Sequence, residues 1–481
     1  EIYQVCMLFY KLKGDFKPSQ ICDVTDTFIS TENELKKLVL PVDDRSMSIL
    51  DRAQSLIANV LSGFNPKDIK PKHGPGSVAT GELLNDKYVF KRKYQRLHQE
   101  YPYYEYFSPS LGRLSFESGW YSRLQPELNA QAKVCFVPKD SRGPRLISME
   151  PLEIQWIQQG IMQNLVPHIE RHPLTRGFVN FTDQSFNQSL ALSSSVSGDM
   201  ATIDLKEASD RISLQLFRRL FPKEIVSAFE ACRSTSTKFP NGQVVSLTKF
   251  APMGSALCFP VLALTVWALV KSVLLHEPAN RKVVYVYGDD LVIPSDMCGP
   301  VFDFLPKVGL AVNESKSYHK GLFRESCGTD AYSGLVVTPI RCRESLDGQN
   351  ARSADFLLHH LSLSESFFNK GYWNACAFTR DMLRDEFGFI PWVHRGTSGF
   401  FCSDPSVCLD RNRSRTKSRW NGDLQRFEVR VLSVKAKSSK HPMDVQSRLL
   451  KGIVNPSGRW SDPTTVTPRH GSIITHAWKT A

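Results

Sequence analysis

At 481 residues, with 41% hydrophobic and 22% charged residues, the chain has the composition of a folded globular protein of two or three domains, which excludes a disordered scaffold and a single small module. A formal net charge of +12 suits a polyanionic partner without requiring one. The 11 cysteines form no close C-x-x-C pairs, which excludes zinc-finger and dithiol motifs and fits a reducing compartment.

The first 130 residues carry helix-like stretches broken by turn signals such as KPKHGPGS and by the aromatic cluster YPYYEYF. No signal peptide opens the chain and no methionine does, so residue 1 reads as a trimmed or incomplete start. Ala132 to Pro151 predicts strand, tight turn, strand. DMATIDL, Asp199 to Leu205, predicts a buried strand, and Ser213 to Phe229 a helix interrupted near Pro222. Asn241-Gly242 predicts a hairpin turn.

A long apolar helix is expected from about Phe259 to Leu275. Its uninterrupted apolar core, Phe259 to Val270, ends at Lys271 and falls short of the roughly 18 residues of a membrane span. VVYVY and LVIP follow as short strands around Gly288-Asp289-Asp290. This order of elements predicts an α+β fold, an antiparallel sheet backed by helices. Beyond about residue 340 the pattern is helical again, as in Ala354 to Phe368. Positive charge then concentrates in RNRSRTKSR and KAKSSK, which read equally as solvated tail and as RNA contact.

Phosphoryl transfer needs positioning and charge neutralisation, which two divalent ions held by clustered carboxylates supply. An apolar hairpin with Asp289 and Asp290 at its tip has that form. Gly-Asp-Asp arises by chance in roughly one chain in ten of this size, and it is the apolar flanks that raise this copy above background. Asp204 sits inside a strand pattern where an unpaired carboxylate is costly; a metal would relieve that cost, and so would a helix cap or an arginine. Asp199, nearer a serine run, looks more like a turn residue.

Lys139, Arg142 and Arg145 punctuate the 132–151 hairpin, where they would neutralise a triphosphate or simply decorate a solvated tip. Gly254 and Ser255 precede the apolar helix. A glycine there lets backbone approach a sugar or phosphate, and Ser255 could then bond ribose. Asp210 is the natural partner for a ribose hydroxyl, or a helix cap.

Together these segments resemble the palm of viral RNA-dependent RNA polymerases, and more narrowly the replicases of leviviruses, the RNA bacteriophages. TIDLKEASDRIS, APMGSA, VYGDDLVIP and VPKDSRGPRLISMEP are similar to that family's acidic, glycine, Gly-Asp-Asp and cationic fingers motifs, and NESKSYHKGLFRESCGTDAYSGLVVTP is the most family-specific piece. The resemblance implies a right hand: N-terminal region and fingers over 1–195, palm over 196–340, thumb and basic C-terminal region over 341–481. It implies Asp204, Asp289 and Asp290 as ligands of magnesium, or of manganese in its place. It also implies triphosphate contacts from Lys139, Arg142 and Arg145, sugar-side contacts from Asp210, Gly254 and Ser255, and Lys316 as proton donor to the leaving pyrophosphate. Expected partners are RNA template and product, ribonucleoside triphosphates, and the host elongation factors Tu and Ts with a host ribosomal protein, in the cytoplasm of an infected bacterium and with no membrane. A reverse transcriptase and a basic RNA-binding structural protein are the alternatives. The ribose-side residues speak against the first, and an acidic tip between apolar strands against the second.

Overall fold

The computed structural model describes the chain except for residues 84–85, 109–113, 279–281, 345–352, 395–398, 413–416, 443–444, 455–463 and 481. At its centre lies the helix Cys258–His276, apolar on every face and buried throughout from Val261 to Val270. It is two residues longer than the sequence pattern predicts, and long and apolar enough to cross a membrane by length and composition alone. Here 83% of its apolar stretch is buried inside the protein, as in a core helix. The helices Asp44–Val60 and Leu152–Arg171 pack against it. The first presents Ile49, Leu50, Ala53, Ile57 and Val60 at helical spacing and is capped by the Asp43 carboxylate, which accepts from the Ser46 N–H at 2.9 Å.

Against this layer lies a three-stranded antiparallel sheet in the order Met200–Ile203, Asp290–Pro294, Tyr285–Tyr287. The first strand is buried at every residue, as four consecutive apolar or small residues require. The helix Ser185–Ser197 packs on this sheet and on a second antiparallel sheet formed by Phe323–Ser326, Thr329–Tyr332 and Leu335–Val336. Arg324, almost fully buried, joins the two: its Nε donates to the Met200 carbonyl at 2.7 Å.

A four-stranded sheet stands beside them, in the order Gly143–Met149, Gln131–Asp140, Ser236–Lys238, Val244–Ser246. The predicted 132–151 hairpin and the Asn241-Gly242 hairpin are both present, and the second adds to the first through a parallel pairing of 236–238 with 131–133. The predicted break near Pro222 falls between the helices Leu214–Leu220 and Lys223–Ala231.

The C-terminal region forms a helical hairpin, Ala354–Asn369 and Trp373–Phe387, with its own small core around Leu357, Leu361, Leu383 and Phe400. The KAKSSK run, read equally as solvated tail and as RNA contact, lies in a strand: Arg426–Pro442 pairs with Thr464–Thr480, and Ser418–Asn421 adds a third strand. Residues 413–416 of the first basic run lie outside the described residues.

Candidate active site

Register brings the acidic residues together. Leu291 pairs with Ile203, so one step further along the two strands stand Asp290 and Asp204. Tyr287 pairs with Asp290, leaving Gly288 and Asp289 as a two-residue turn. Of those two only Gly288 has positive φ, +65°, the pattern of a type II′ turn. A Cβ at Gly288 would stand 2.1 Å from the edge of the Phe259 ring, itself packed edge-on against Tyr287 and Phe181. The tip is thus seated on the first turn of the central helix. Asp199, at the opposite end of its strand from Asp204, is about 16 Å away on strand geometry and takes no part.

Asp204 is held on three sides by residues 313–317. Asn313 donates its side-chain N–H to Asp204 Oδ2 at 2.7 Å and its backbone N–H to the Asp204 carbonyl at 2.9 Å, and the Asp204 N–H donates to Ser317 Oγ at 3.2 Å. Lys316 Nζ lies 3.8 Å from Asp204 Oδ2. Asp290 turns the other way, and its Oδ2 accepts the Cys327 N–H at 3.1 Å.

Asp289 keeps solvent access at the tip although protein surrounds it on most sides. Burial, and then the Asp204 charge, push its carboxyl above the usual range against the pull of Arg145 and Lys139. Burial and the neighbouring charges of Asp289 and Glu325 push Asp290 up to about 7. Burial, Asp330 and Asp204 raise Glu325 as well. Converging carboxylates that resist ionisation together are what a divalent cation relieves, so the donor set of Asp204 and Asp289, with Asp290 beside them, fits hard, oxygen-seeking ions.

The cationic hairpin stands near this cluster, since Arg145 and Lys139 act on Asp289, and its Lys139, Arg142 and Arg145 line a cavity of about 570 Å³ with Lys316 and Glu325; Asp204, Asp289 and Asp290 are not among the lining residues. Burial, and then Arg145, lower the Lys139 ammonium below its ordinary range. Arg142 is committed within the hairpin: its guanidinium forks onto Asp140, with Nη2 to Oδ2 at 2.8 Å, and lies over the Tyr10 ring. Lys139 and Arg145 are the cations left to act on Asp289. The far wall is a segment the sequence reading missed, residues 3–16, hydrogen-bonded to residues 330–343 through Tyr3 to Asp330, Gln4 to Ile340 and Leu8 to Cys342. It brings Lys11 to the cavity, along with Arg341 and Arg343.

The glycine loop is stitched to the same hairpin. The Ser148 N–H donates to the Met253 carbonyl at 2.8 Å, and a Cβ at Gly254, where φ is +125°, would stand 2.1 Å from the Ser148 carbonyl oxygen. The close approach that Gly254 permits is therefore to Ser148. Ser255 is nearly buried and its Oγ accepts the Leu257 N–H at 3.3 Å. Gln158 braces the loop by accepting the Ala256 N–H at 3.2 Å. Asp210 follows the Asp204 strand in a short turn, and its Oδ1 accepts from Lys249 Nζ at 2.8 Å. The Cys258 thiol, raised by burial, is raised further by both Asp210 and Asp289, so the two carboxylates flank one helix start.

Asn313, Glu325 and Lys249 were absent from the sequence-based site. Asn313 and Glu325 fall within the long string singled out above, where the strings were legible and the individual roles were not. A second group of metal-ligand type, Cys342, His359 and His360, lies apart, but His359 Nε2 already accepts the Arg343 N–H at 3.0 Å and Cys342 Sγ bonds the Glu344 carbonyl.

The family model described as RNA replicase, beta-chain matches residues 17–355. The RNA-directed RNA polymerase subunit beta of Qbeta virus (strain MX1) is 35% identical over 214 residues, 44% of this chain and 36% of that one. The RNA-directed RNA polymerase beta chain of Enterobacteria phage GA is 28% identical over 308 residues, 62% of this chain and 56% of that one. The chain thus spans between about a third and somewhat over half of these relatives' length. A crystal structure of an insertion-loop deletion mutant of a human picorbirnavirus RNA-dependent RNA polymerase superposes with a TM-score of 0.40 at 13% identity, covering 76% of each chain.

Proposed function

The chain belongs to the RNA replicase beta-chain family, and we propose that it is the template-directed RNA polymerase of an RNA bacteriophage, joining ribonucleotides by attack of a 3′ hydroxyl on the α-phosphate of an incoming triphosphate. The observation that carries this reading is the meeting of Asp204 with Asp289 and Asp290 at one sheet end, opposite the cationic hairpin. Magnesium held there supplies activation of the attacking hydroxyl and charge stabilisation of the leaving oxygen.

The protein's own residues do the rest. Asp204 and Asp289 are the primary ligands and Asp290, turned toward Cys327, assists them. Asn313 fixes the Asp204 carboxylate in one orientation. Lys139 and Arg145 neutralise the triphosphate, and Arg142 joins them when released from Asp140. Lys316, beside Asp204 and open to the cavity, gives its proton to the leaving pyrophosphate. Asp210 and Ser255 take the ribose side, with Gly254 holding the loop against the hairpin. In this reading the 131–149 hairpin belongs to the fingers (1–195), the 200–203 and 285–294 strands to the palm (196–340), and the 354–387 helices to the thumb (341–481). The family name implies companion subunits. Elongation factors Tu and Ts and a ribosomal protein of the host are the proposed ones, in the host cytoplasm.

Primed extension on an RNA template tests the reading, with and without host extract. Asp289→Asn is expected to lower incorporation at least 10³-fold while leaving the melting temperature and RNA binding near those of the parent. An Asp289→Asn enzyme that still extends at the parental rate would remove Asp289 from the site.

A further inference from the structure

Lys249 is completely buried, in a stretch flanked by Leu247, Phe250 and Ala251 that are buried too. Its ammonium meets three partners: Asp210 Oδ1 at 2.8 Å, Glu32 Oε1 at 3.3 Å, and the face of the Phe28 ring, 3.5 Å from its centroid. Glu32 is itself buried on the Pro18–Lys37 helix, where its other oxygen accepts the Thr248 N–H at 2.7 Å. Of the two carboxylates, only Asp210 keeps part of its side chain open, a fifth of it.

We infer that Lys249 is a positioning residue for sugar selection: anchored by Glu32 and Phe28, it holds Asp210 Oδ1 so that the remaining oxygen is presented in one fixed orientation to a ribose hydroxyl. The inference rests on the ribose assignment of Asp210 made above. A lone buried ammonium would be very costly, and a lone exposed aspartate would rotate freely. Joined, each removes the other's defect, and the orientation of Asp210 becomes a property of the folded core. Preorganisation of a polar group by a buried partner is what lets a site reject an analogue lacking one hydroxyl.

The test compares incorporation of ribo- and deoxyribonucleotides by the complete enzyme on one RNA template, as kcat/KM for each. Lys249→Met is expected to reduce the ribo/deoxy preference at least tenfold, and Lys249→Gln, which retains a donor and is the variant to use if Met does not fold, by less. In an Asp210→Asn background, Lys249→Met should change the preference no further, because its effect runs through Asp210. Glu32→Gln, which weakens the anchor but leaves the Lys249–Asp210 contact in place, should lower the melting temperature and reduce the preference by less than Lys249→Met does. Equal losses for both sugars in the Lys249 variants, with the preference unchanged, would overturn the inference while leaving the polymerase reading intact. A parent enzyme that incorporates neither nucleotide under any template would overturn both.

Discussion

Gly288→Ala tests how the acidic tip is held in place. The added Cβ would stand 2.1 Å from Phe259 Cε2, where ordinary contact begins at 3.4 Å, so the turn and the ring must separate by at least 1.3 Å. The ring is packed edge-on against both Tyr287 and Phe181 at 5.7 Å between centroids, and with 37% of Phe259 exposed it can yield only on its solvent side. Backbone at φ +65° costs an alanine about 1–2 kcal/mol, and overpacking typically about 1–3 more, so roughly 2–5 kcal/mol of stability is lost. The larger consequence is kinetic. Displacing Asp289 by about 1 Å relative to Asp204 is expected to slow incorporation about 10²-fold at saturating nucleotide and template. Phe259→Ala removes the obstructing ring, so adding Gly288→Ala to a Phe259→Ala enzyme should cost only the backbone term and less than about tenfold in rate. Extension rates and melting temperatures of the four members of that cycle decide the matter. A Gly288→Ala single variant within threefold of the parent, or a double variant as slow as the single, would refute the steric argument.

Two further predictions concern residues outside the predicted site. Asn313→Ala removes the donor that orients Asp204 Oδ2 and should raise the magnesium concentration for half-maximal rate by about 10–100-fold with little change in melting temperature; an unchanged magnesium dependence would count against it. Glu153 is fully buried, and burial pushes its carboxyl up to about 7, against the pull of the Lys91 and Arg92 N–H groups on Oε1. Because the folded value lies above the ordinary 4.5, stability from this group is fully present below pH 4.5 and is lost as pH rises to about 7, amounting to about 3 kcal/mol. Glu153→Gln cannot ionise, so its melting temperature should gain on the parent's between pH 5 and pH 8.5; parallel curves would contradict the assignment.

What could be read from the sequence was whatever closes within a few residues. The Gly-Asp-Asp turn needs only two short apolar flanks and a glycine that tolerates positive φ, and the helix break at Pro222 needs only the ring that removes an N–H. Partnerships across hundreds of residues left no such trace. Tyr3 bonds Asp330, and the 236–246 hairpin joins the 131–149 sheet through a parallel pairing that no local pattern announces. The KAKSSK run, which composition leaves open between a solvated tail or loop and an RNA contact, lies in the strand Arg426–Pro442, whose partner Thr464–Thr480 is remote along the chain, so the pairing leaves no local sign. Lys249 is the instructive omission. Like Asp204 in its apolar strand pattern, a lysine among Leu247, Phe250 and Ala251 is a charge in need of a partner. A charge in an apolar setting demands an opposite one, so Lys249 points to a carboxylate beside it. Asp210, already a candidate for the sugar, was among the acidic residues available to answer it.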